Sequence, residues 1–370
     1  MYHIEKSIKN IINYSFLPDT SNIIHIGYGI DSNYIRCCAT SIISFCKNNP
    51  QENFHFYIMI SNLDEISKNK FHLLAKQNSI NITIYEIDIS FFKQLPSRLA
   101  FPLPTYFRFI LPSILKDLDK VFYIDADVIC INNASEFFNT KLNTNIIAAV
   151  PDTIDTATNR NNDLGLKNHI YFNAGVIIIN IKKWNLLNIF DKLIKEILTD
   201  PKKFYMLDQD ALNLILTQKI AYLPKKFNYF NGFYPWHKDS ITNKEIILLH
   251  FTSSPKPWDL GWEVSSMSND YNRDLYKTYE NQTPWKNASP VYPKHYRRLR
   301  IYSQDLYHHG YYLSSIKYYI LYLLTKLKII PDFSIMFLYT GLISTFKESA
   351  KLIAFIFVFA NLSTFINADD

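Results

Sequence analysis

The chain has 370 residues and a formal net charge of +6, and 48% of its residues are hydrophobic. This is enough to bury a sizeable core, and the length allows one large domain or two smaller ones. The four cysteines, Cys37, Cys38, Cys46 and Cys130, exclude a disulfide framework and a CxxC zinc site. They favour a reducing compartment.

Short apolar runs alternate with helical patterns through the first half of the chain. Strands are predicted at residues 23–28, 54–60, 82–87, 121–124 and 146–150. Helices are predicted at residues 34–46, 64–78 and 105–115. An earlier end at Leu111-Pro112 is the alternative for the third helix. This alternation predicts an α/β nucleotide-binding half with a buried parallel sheet.

The second half is less regular. Strands are predicted at residues 176–180 and 246–250, and helices at residues 191–198 and 208–216. Prolines after residue 281 indicate a linker, and a basic aromatic helical region follows at 295–327. The expected divisions are therefore a main domain at 1–280, a C-terminal region at 281–330 and an apolar tail at 331–370.

The positive charge is concentrated in the C-terminal region. Residues 291–330 carry seven cationic side chains against one acid, Asp305, and this balance equals the net charge of the whole chain. A basic, tyrosine-rich segment beside a neutral body predicts a docking surface for an anionic partner. In the tail, the apolar run at 352–366 is shorter than the roughly 20 residues of a spanning helix. We therefore expect an interfacial or packed helix there, and a true membrane span is the alternative.

Two carboxylates, Asp125 and Asp127, directly follow the buried strand at 121–124. Ligands of open α/β sheets bind at the carboxyl ends of such strands. Two neighbouring acids raise each other's pKa unless a positive charge joins them, so a divalent cation is a natural resident. Solvated acids at a strand end and a haloacid-dehalogenase-type phosphatase are the alternatives. The phosphatase family, however, has Thr or Val where this chain has Ile129.

Four further segments could carry chemistry. The turn at residues 29–33 could bind a base or ribose, or could cap a helix. Residues 173–175, Asn-Ala-Gly, indicate a small turn that a ligand could approach closely, or an ordinary turn. Residues 208–210, Asp-Gln-Asp, begin a predicted helix, where they could either cap the helix or act as catalytic groups. His250 ends a strand and could join the same cation, while Lys256 could neutralise a diphosphate.

In this combination and order, the segments resemble the family 8 glycosyltransferases, which are retaining enzymes with a GT-A fold that use UDP-sugars. The resemblance covers residues 23–258, and it includes the segments at 123–128, 171–175, 180–184 and 208–210 and the residues from His250 to Trp258. Residues 293–327 resemble the C-terminal helical region of bacterial lipopolysaccharide core glucosyl- and galactosyltransferases. The resemblance therefore implies a GT-A fold with a mixed, mainly parallel sheet and a C-terminal helical extension.

The resemblance also implies roles for individual residues. Asp125, Asp127 and His250 would bind Mn²⁺, with Mg²⁺ as the alternative ion. The residues implied to bind the nucleotide are Gly29, Asp31, Asn33 and Ala126 for uridine and ribose, and Ser253 and Lys256 for the diphosphate. The residues implied around the donor sugar are Arg108, Asp152, Asn173, Ala174, Asp208 and Gln209. The family often has Gly where Ser253 stands, so this chain departs from the family pattern at that position.

The implied reaction transfers glucose or galactose from UDP-glucose or UDP-galactose to a lipid-linked saccharide acceptor of the lipopolysaccharide or lipooligosaccharide core. The enzyme would be cytoplasmic and peripheral on the inner face of the bacterial inner membrane, held there by the basic aromatic region. No nucleic acid partner is expected. A non-catalytic nucleotide-sugar-binding protein is the alternative, and the two-Asp phosphatase is a further one.

Overall fold

The computed structural model describes residues 4–18, 22–98, 102–231, 244–269, 271–293 and 295–327. The apolar tail at 331–370 and the cations Lys294 and Lys328 lie outside the described residues. The chain divides into two compact units, one containing Met1–Thr252 with Leu275–Asn287 and the other Ser253–Asp274 with the remainder. The domain boundaries expected at residues 280 and 330 stay predictions.

The described residues contain eleven strands and eleven α-helices. The strands are β1 (Ile8–Ser15), β2 (Ile23–Ile30), β3 (Asn53–Ile60), β4 (Asn81–Ile87), β5 (Lys120–Ile124), β6 (Val128–Cys130), β7 (Ile147–Pro151), β8 (Phe172–Asn180), β9 (Ile220–Tyr222), β10 (Tyr229–Phe230) and β11 (Leu248–His250). The helices are α1 (Ile35–Asn48), α2 (Glu65–Asn78), α3 (Phe107–Ile114), α4 (Ser135–Phe138), α5 (Ile154–Leu164), α6 (Ile181–Leu186), α7 (Ile189–Thr199), α8 (Asp208–Ile215), α9 (Leu275–Glu280), α10 (Tyr296–His308) and α11 (Tyr312–Lys326).

Eight strands of the first unit form one mixed sheet in the order β1-β4-β3-β2-β5-β8-β7-β9. Strands β4, β3, β2 and β5 are parallel neighbours, as are β7 and β9, whereas β1 and β8 pair antiparallel with their neighbours. The expected mixed, mainly parallel sheet is confirmed. Because β2 and β5 run in the same direction, the residues that follow Ile30 and Ile124 leave the sheet at the same edge.

Alternation along β3 explains how the sheet is covered on both faces. Phe54 and Phe56 stack on each other, and Phe54 contacts Phe45 of α1. Tyr57 and Met59 point to the other face, into the core formed with α3, α6, α7 and α8. Such burial on both faces is typical of the parallel part of a sheet, and it explains why these strands lack polar residues in regular alternation.

Several predicted elements differ from the structure. Residues 173–175 are not a turn but the start of β8, where they pair within the sheet region. Helix α3 does not end at Pro112 but continues to Ile114. Strand β1 and helix α5 were not predicted, because β1 is largely exposed and α5 is rich in polar residues. The helical region predicted at 295–327 is confirmed, and it consists of two helices, α10 and α11.

In the second unit, α10 and α11 form a helical hairpin around a small core of Leu299, Leu321 and Tyr322. Ser303 and Ser315 exchange hydrogen bonds between the two helices, at 2.8 and 2.9 Å. Within the described residues, we find no helix with both the length and the apolarity needed to cross a membrane.

Residues 275–287 belong to the first unit, although they follow residues 253–274 of the second unit in the sequence. Among them, Trp285 is only 8% exposed, and its ring lies 5.1 Å from that of Phe71 on α2. Lys70 Nζ lies 5.2 Å from the centre of the same ring. Although Trp285 stands among the prolines that indicated a linker, its packing makes it part of the α/β core.

We therefore expect Trp285→Ala to destabilise the first unit by about 3–5 kcal/mol, the usual cost of removing a large buried aromatic side chain. Chemical unfolding followed by tryptophan-independent circular dichroism measures this loss. Leu186→Ala is the control, since Leu186 is 79% exposed and its loss should change the unfolding free energy by less than about 0.5 kcal/mol. Equal stability of the two variants would show that the segment at 281–287 does not belong to the core.

Candidate active site

Three potential metal ligands from distant parts of the sequence meet at the edge of the sheet. Asp125 and Asp127 follow β5, and His250 is the last residue of β11. One ligand atom from each residue can be chosen so that all three lie within 4.8 Å of one another. His250 Nε2 lies 3.2 Å from Asp127 Oδ1. A second sheet of three strands, in the order β10-β11-β6, brings them together, because β11 pairs antiparallel with β6, which starts at Val128 directly after Asp127.

Gly175 on β8 makes room for this cluster. The backbone N–H of Asp125 donates to Gly175 O at 2.8 Å, which brings the two strands into register. A Cβ at position 175 would lie 2.9 Å from Asp125 Oδ2 and would overlap the ring of His250. A side chain at this position would therefore displace the candidate ligands, so the glycine is required by close approach and not by a turn.

Asn228 fixes the orientation and tautomer of His250. Asn228 Nδ2 donates to Asn173 Oδ1 at 2.9 Å, so the oxygen of its amide faces His250 Nδ1, also at 2.9 Å. An amide oxygen only accepts, so His250 Nδ1 carries the proton. This leaves Nε2, which faces Asp127 at 3.2 Å, as the ring nitrogen available to a metal ion.

The same hydrogen-bond chain continues to Gln209. Asn173 Nδ2 donates to Asp152 Oδ2 at 3.2 Å, and Gln209 Nε2 donates to the same oxygen at 2.9 Å. The Ala174 N–H donates to Gln209 Oε1 at 2.9 Å. Burial raises the pKa of Asp152, and the donors around it oppose that shift. The side chains of His250, Asn228, Asn173, Asp152 and Gln209 thus form one continuous network.

A buried arginine links Asp125 to Asp208. Arg108 Nη2 lies 2.9 Å from Asp125 Oδ1, and Arg108 Nε lies 2.9 Å from Asp208 Oδ2. Thr105 donates to the other oxygen of Asp208 at 2.6 Å. Burial raises the pKa of Asp208 to about 6, although Arg108 acts in the opposite direction. At neutral pH Asp208 is therefore a carboxylate whose two oxygens are both engaged.

Asp210 anchors the start of α8. Its carboxylate accepts from Tyr171 Oη at 2.6 Å, from Arg160 Nε and Nη2 at 3.0 and 2.7 Å, and from the Met206 N–H at 2.7 Å. Asp210 is fully buried, so these donors replace the water that its charge has lost. This anchoring fixes the direction in which Asp208 and Gln209 leave the helix terminus.

The residues implied to bind uridine lie at the carboxyl end of β2. Gly29 packs against α3, because a Cβ there would lie 2.9 Å from Phe107 Cβ. Asp31 Oδ1 accepts from the Asn33 N–H at 2.8 Å, which is the capping geometry considered from the sequence. Ala126 is buried between the two acids. These four residues therefore lie along the edge that carries Asp125.

Ser253 and Lys256 belong to the second unit, which begins three residues after His250. The backbone N–H of Lys256 donates to Asp259 Oδ2 at 2.9 Å. Their role beside a diphosphate stays a prediction that rests on the sequence.

The donor set fits a divalent cation. Two carboxylates and an imidazole nitrogen converge, the glycine at position 175 leaves space, and Asn228 orients the imidazole with Nε2 towards the carboxylates. Asp127 is only partly exposed and Asp125 is already paired with Arg108. A cation would therefore join an electrostatic arrangement that is already preorganised.

Comparison with known proteins agrees with this arrangement. The glycosyl transferase family 8 model matches residues 25–260, and the family 8 C-terminal model matches residues 273–326. The chain belongs to glycosyl transferase family 8. A lipopolysaccharide 1,3-galactosyltransferase of Salmonella typhimurium is 32% identical, over 88% of this chain and 98% of the relative. A lipopolysaccharide 1,2-glucosyltransferase of Escherichia coli is 29% identical, over 83% and 92%.

The solved structures identify the fold. A structure of the galactosyltransferase LgtC with donor and acceptor sugar analogues matches with a TM-score of 0.61 at 21% identity. It covers 70% of this chain and 96% of LgtC. The expected GT-A fold is confirmed, and the protein is a glycosyltransferase. Family membership sets aside the phosphatase interpretation of Asp125 and Asp127.

Sequence reasoning missed two residues of the network. Asn228 lies between a short 3₁₀ turn and the two-residue strand β10, where no periodic pattern marks it. Thr105 lies in the turn before α3, where a threonine is expected to be an ordinary helix-capping residue. The only signal for Asn228 was that a metal-binding histidine needs an acceptor on its second nitrogen.

We expect Asn228→Ala to weaken Mn²⁺ binding by about 10- to 100-fold, because His250 loses the group that fixes its tautomer. Titration of the full chain with Mn²⁺, followed by the electron paramagnetic resonance signal of the free ion, measures this loss. Asn228→Asp should retain most of the affinity, since its carboxylate still accepts from His250 Nδ1.

Asn185→Ala is the matched control. Asn185 also makes two side-chain hydrogen bonds, with Pro112 O and Ser113 Oγ, each at 2.9 Å. Its loss should lower stability without changing Mn²⁺ affinity. Equal affinities for Asn228→Ala and the wild type would contradict the orienting role of Asn228.

Proposed function

We propose that this glycosyltransferase transfers glucose or galactose from UDP-glucose or UDP-galactose to a saccharide acceptor of the lipopolysaccharide or lipooligosaccharide core, with retention of configuration. The observation that carries the proposal is the cluster of Asp125, Asp127 and His250 joined by one polar network to Gln209. The network thereby fixes the position of the candidate cation site relative to the polar side chains proposed to bind the sugar. The names of the relatives support the hexose and the acceptor class.

The cation would be held by Asp125, Asp127 and His250, as the resemblance implied. An imidazole ligand favours Mn²⁺ over Mg²⁺, which prefers oxygen ligands and ideal octahedral geometry. When bound there, the cation would stabilise as a Lewis acid the negative charge of the departing UDP diphosphate. Lys256 and Ser253 are proposed as further diphosphate contacts, and Gly29, Asp31, Asn33 and Ala126 as contacts to uridine and ribose.

The donor sugar would be bound by six residues, some of which belong to the polar network. These are Arg108, Asp152, Asn173, Ala174, Asp208 and Gln209. Arg108 supplies a buried positive charge beside Asp125 and Asp208. The carboxylates and amides are suited to hydrogen-bond sugar hydroxyls, whose orientation distinguishes epimers.

Retention requires either a covalent nucleophile or attack from the side on which the phosphate departs. The two oxygens of Asp208 are engaged by Thr105 and Arg108, which makes this carboxylate a poor nucleophile. The amide of Gln209 is held by Ala174 and Asp152. Both side chains therefore position the sugar and favour same-face attack. The acceptor hydroxyl forms the new anomeric bond, the bond to phosphate breaks, and the hydroxyl proton passes to the departing phosphate.

We expect UDP-glucose or UDP-galactose to be hydrolysed slowly by the full chain with Mn²⁺ and not after chelation. Asp127→Ala should lower this rate at least about 100-fold, because a ligand of the cation is lost. Released UDP is measured by a coupled assay. Thermal unfolding of the same variant should change little, since removing one of two neighbouring carboxylates also removes their mutual repulsion.

Turnover that persists in chelator would contradict the metal role. Unfolding of Asp127→Ala without a separate effect on catalysis would instead indicate a structural acid. Binding of UDP-sugar without any turnover would favour the non-catalytic alternative.

The second unit supports a membrane-facing role for the enzyme. The turn between α10 and α11 exposes Tyr307, Tyr311, Tyr312 and Leu313, the last to 86%. At the other end of the hairpin, the first turns of α10 expose three arginines, at positions 297, 298 and 300. Exposed aromatic side chains and cations on one hairpin suit the interface of an anionic membrane. We propose that this hairpin holds the enzyme at the inner face of the bacterial inner membrane, where a lipid-linked acceptor is found.

We expect the full chain to co-sediment with vesicles containing phosphatidylglycerol and not with vesicles of phosphatidylcholine alone. Each replacement of Arg297, Arg298 or Arg300 by Gln should lower the partition coefficient about fivefold, because each cation contributes about 1 kcal/mol near such a surface. The triple variant of Tyr311, Tyr312 and Leu313 to Ser should also lower it. Ile66→Ser is the control, since this exposed residue lies on α2.

Equal binding of the arginine variants and the wild type would contradict the proposal. So would equal binding to both kinds of vesicle.

A further inference from the structure

An exposed tyrosine stands directly before the residues proposed to bind the donor sugar. Tyr205 is 55% exposed, whereas Phe204 before it and Leu207 after it are fully buried. The two buried neighbours fix the backbone on either side, so the ring of Tyr205 is held in a defined direction. A single exposed apolar residue is normal at a surface, and its surroundings must decide whether it has a role.

The surroundings of Tyr205 are strongly cationic. The guanidinium carbon of Arg98 lies 4.2 Å from the centre of the Tyr205 ring, and that of Arg160 lies 5.5 Å away. Arg98 is exposed, and so is Lys202, which precedes Tyr205 by three residues. Arg160 is already paired with Asp210 and Asp163, so Arg98 is the exposed cation against this ring. A planar cation against an aromatic ring offers both a stacking surface and anion-binding donors.

Arg98 is tied to the proposed sugar-binding residues by a short chain of contacts. Tyr106 Oη donates to Pro96 O at 2.8 Å, which anchors the strand of backbone leading to Arg98. The residue before Tyr106 is Thr105, whose hydroxyl donates to Asp208 Oδ1 at 2.6 Å. Arg98 therefore lies at the end of a segment fixed beside Asp208.

Tyr205 is tied to the same place by a second, separate chain. Arg160 Nη2 donates to Lys203 O at 3.1 Å, and the Met206 N–H donates to Asp210 Oδ2 at 2.7 Å. Asp210 follows Asp208 by two residues on α8. Two independent anchors thus bring together Arg98 and Tyr205, both exposed, on segments that lead directly to Thr105 and Asp208 of the proposed donor-sugar site.

We propose that Arg98 and Tyr205 form an acceptor subsite that packs a sugar ring on the tyrosine and binds an anionic substituent of the acceptor through the arginine. This inference rests on the function proposed above. The C–H face of a pyranose is complementary to the electron-rich face of an aromatic ring. The guanidinium matches phosphate or carboxylate in a bidentate manner. The subsite therefore selects an acidic saccharide over a neutral one.

The test is steady-state kinetics of the full chain with Mn²⁺, the UDP-sugar that it turns over and a deacylated lipopolysaccharide core oligosaccharide as acceptor. Arg98→Gln and Tyr205→Ala should each raise the acceptor KM by about 10- to 100-fold, the effect expected for losing contacts to a charged group. The KM for the donor should change far less. Arg98→Lys should recover only part of the acceptor affinity, because it keeps the charge and loses the planar fork.

Tyr271→Ala is the matched control, since Tyr271 is a tyrosine 40% exposed in the other unit. It should leave the acceptor KM unchanged. Removing phosphate groups from the acceptor with phosphatase, or reducing its carboxylates, then identifies the anion. The treatment that removes the recognised group should raise the wild-type KM and leave that of Arg98→Gln unaltered.

The outcomes separate this inference from the proposed function. If no UDP-sugar turns over in the wild type, the proposed function fails. If transfer proceeds but both variants keep the wild-type acceptor KM, the subsite alone is overturned. A KM that rises for neutral and acidic acceptors equally would overturn the anionic specificity.

Discussion

A buried guanidinium is the interaction on which the rest of the site depends. Arg108 is almost fully buried, and its charge is neutralised by Asp125 on one side and Asp208 on the other. Its Nη1 donates to Ala174 O, and its guanidinium carbon lies 4.5 Å from the centre of the Tyr123 ring. A buried cation with fewer partners would be strongly destabilising, so the four groups must keep their positions together. Lysine could not replace this fork.

Around this ion pair, amide side chains connect the candidate metal ligand His250 to Asp152 and Gln209 by hydrogen bonds. Asn228 and Asn173 each donate and accept, so neither can rotate its amide without breaking two bonds. They connect His250 to Asp152, and Gln209 closes the path. Amides suit this task because they hold geometry without adding charge to a site that already contains several carboxylates.

The sequence was most informative where a residue follows a strongly apolar strand. Asp125, Asp127 and His250 could be assigned to one edge of a sheet, because strand ends converge there by topology. Residues 173–175 were misinterpreted as a turn, because small residues favour turns, whereas here Gly175 is small to admit His250. Asn228 escaped prediction, because its partners lie on β8 and β11, and nothing local specifies which strands will meet.

The start of α8 shows how backbone strain contributes to the site. Leu207 has φ 45° and ψ −110°, a conformation that costs a residue with a side chain about 1–3 kcal/mol. Full burial of Leu207 and the four hydrogen bonds accepted by Asp210 offset this cost. The sharp change of direction lets Tyr205 face solvent while Asp208 faces Arg108. A relaxed helical residue at position 207 would continue the helix backwards and turn one of these side chains away from the site.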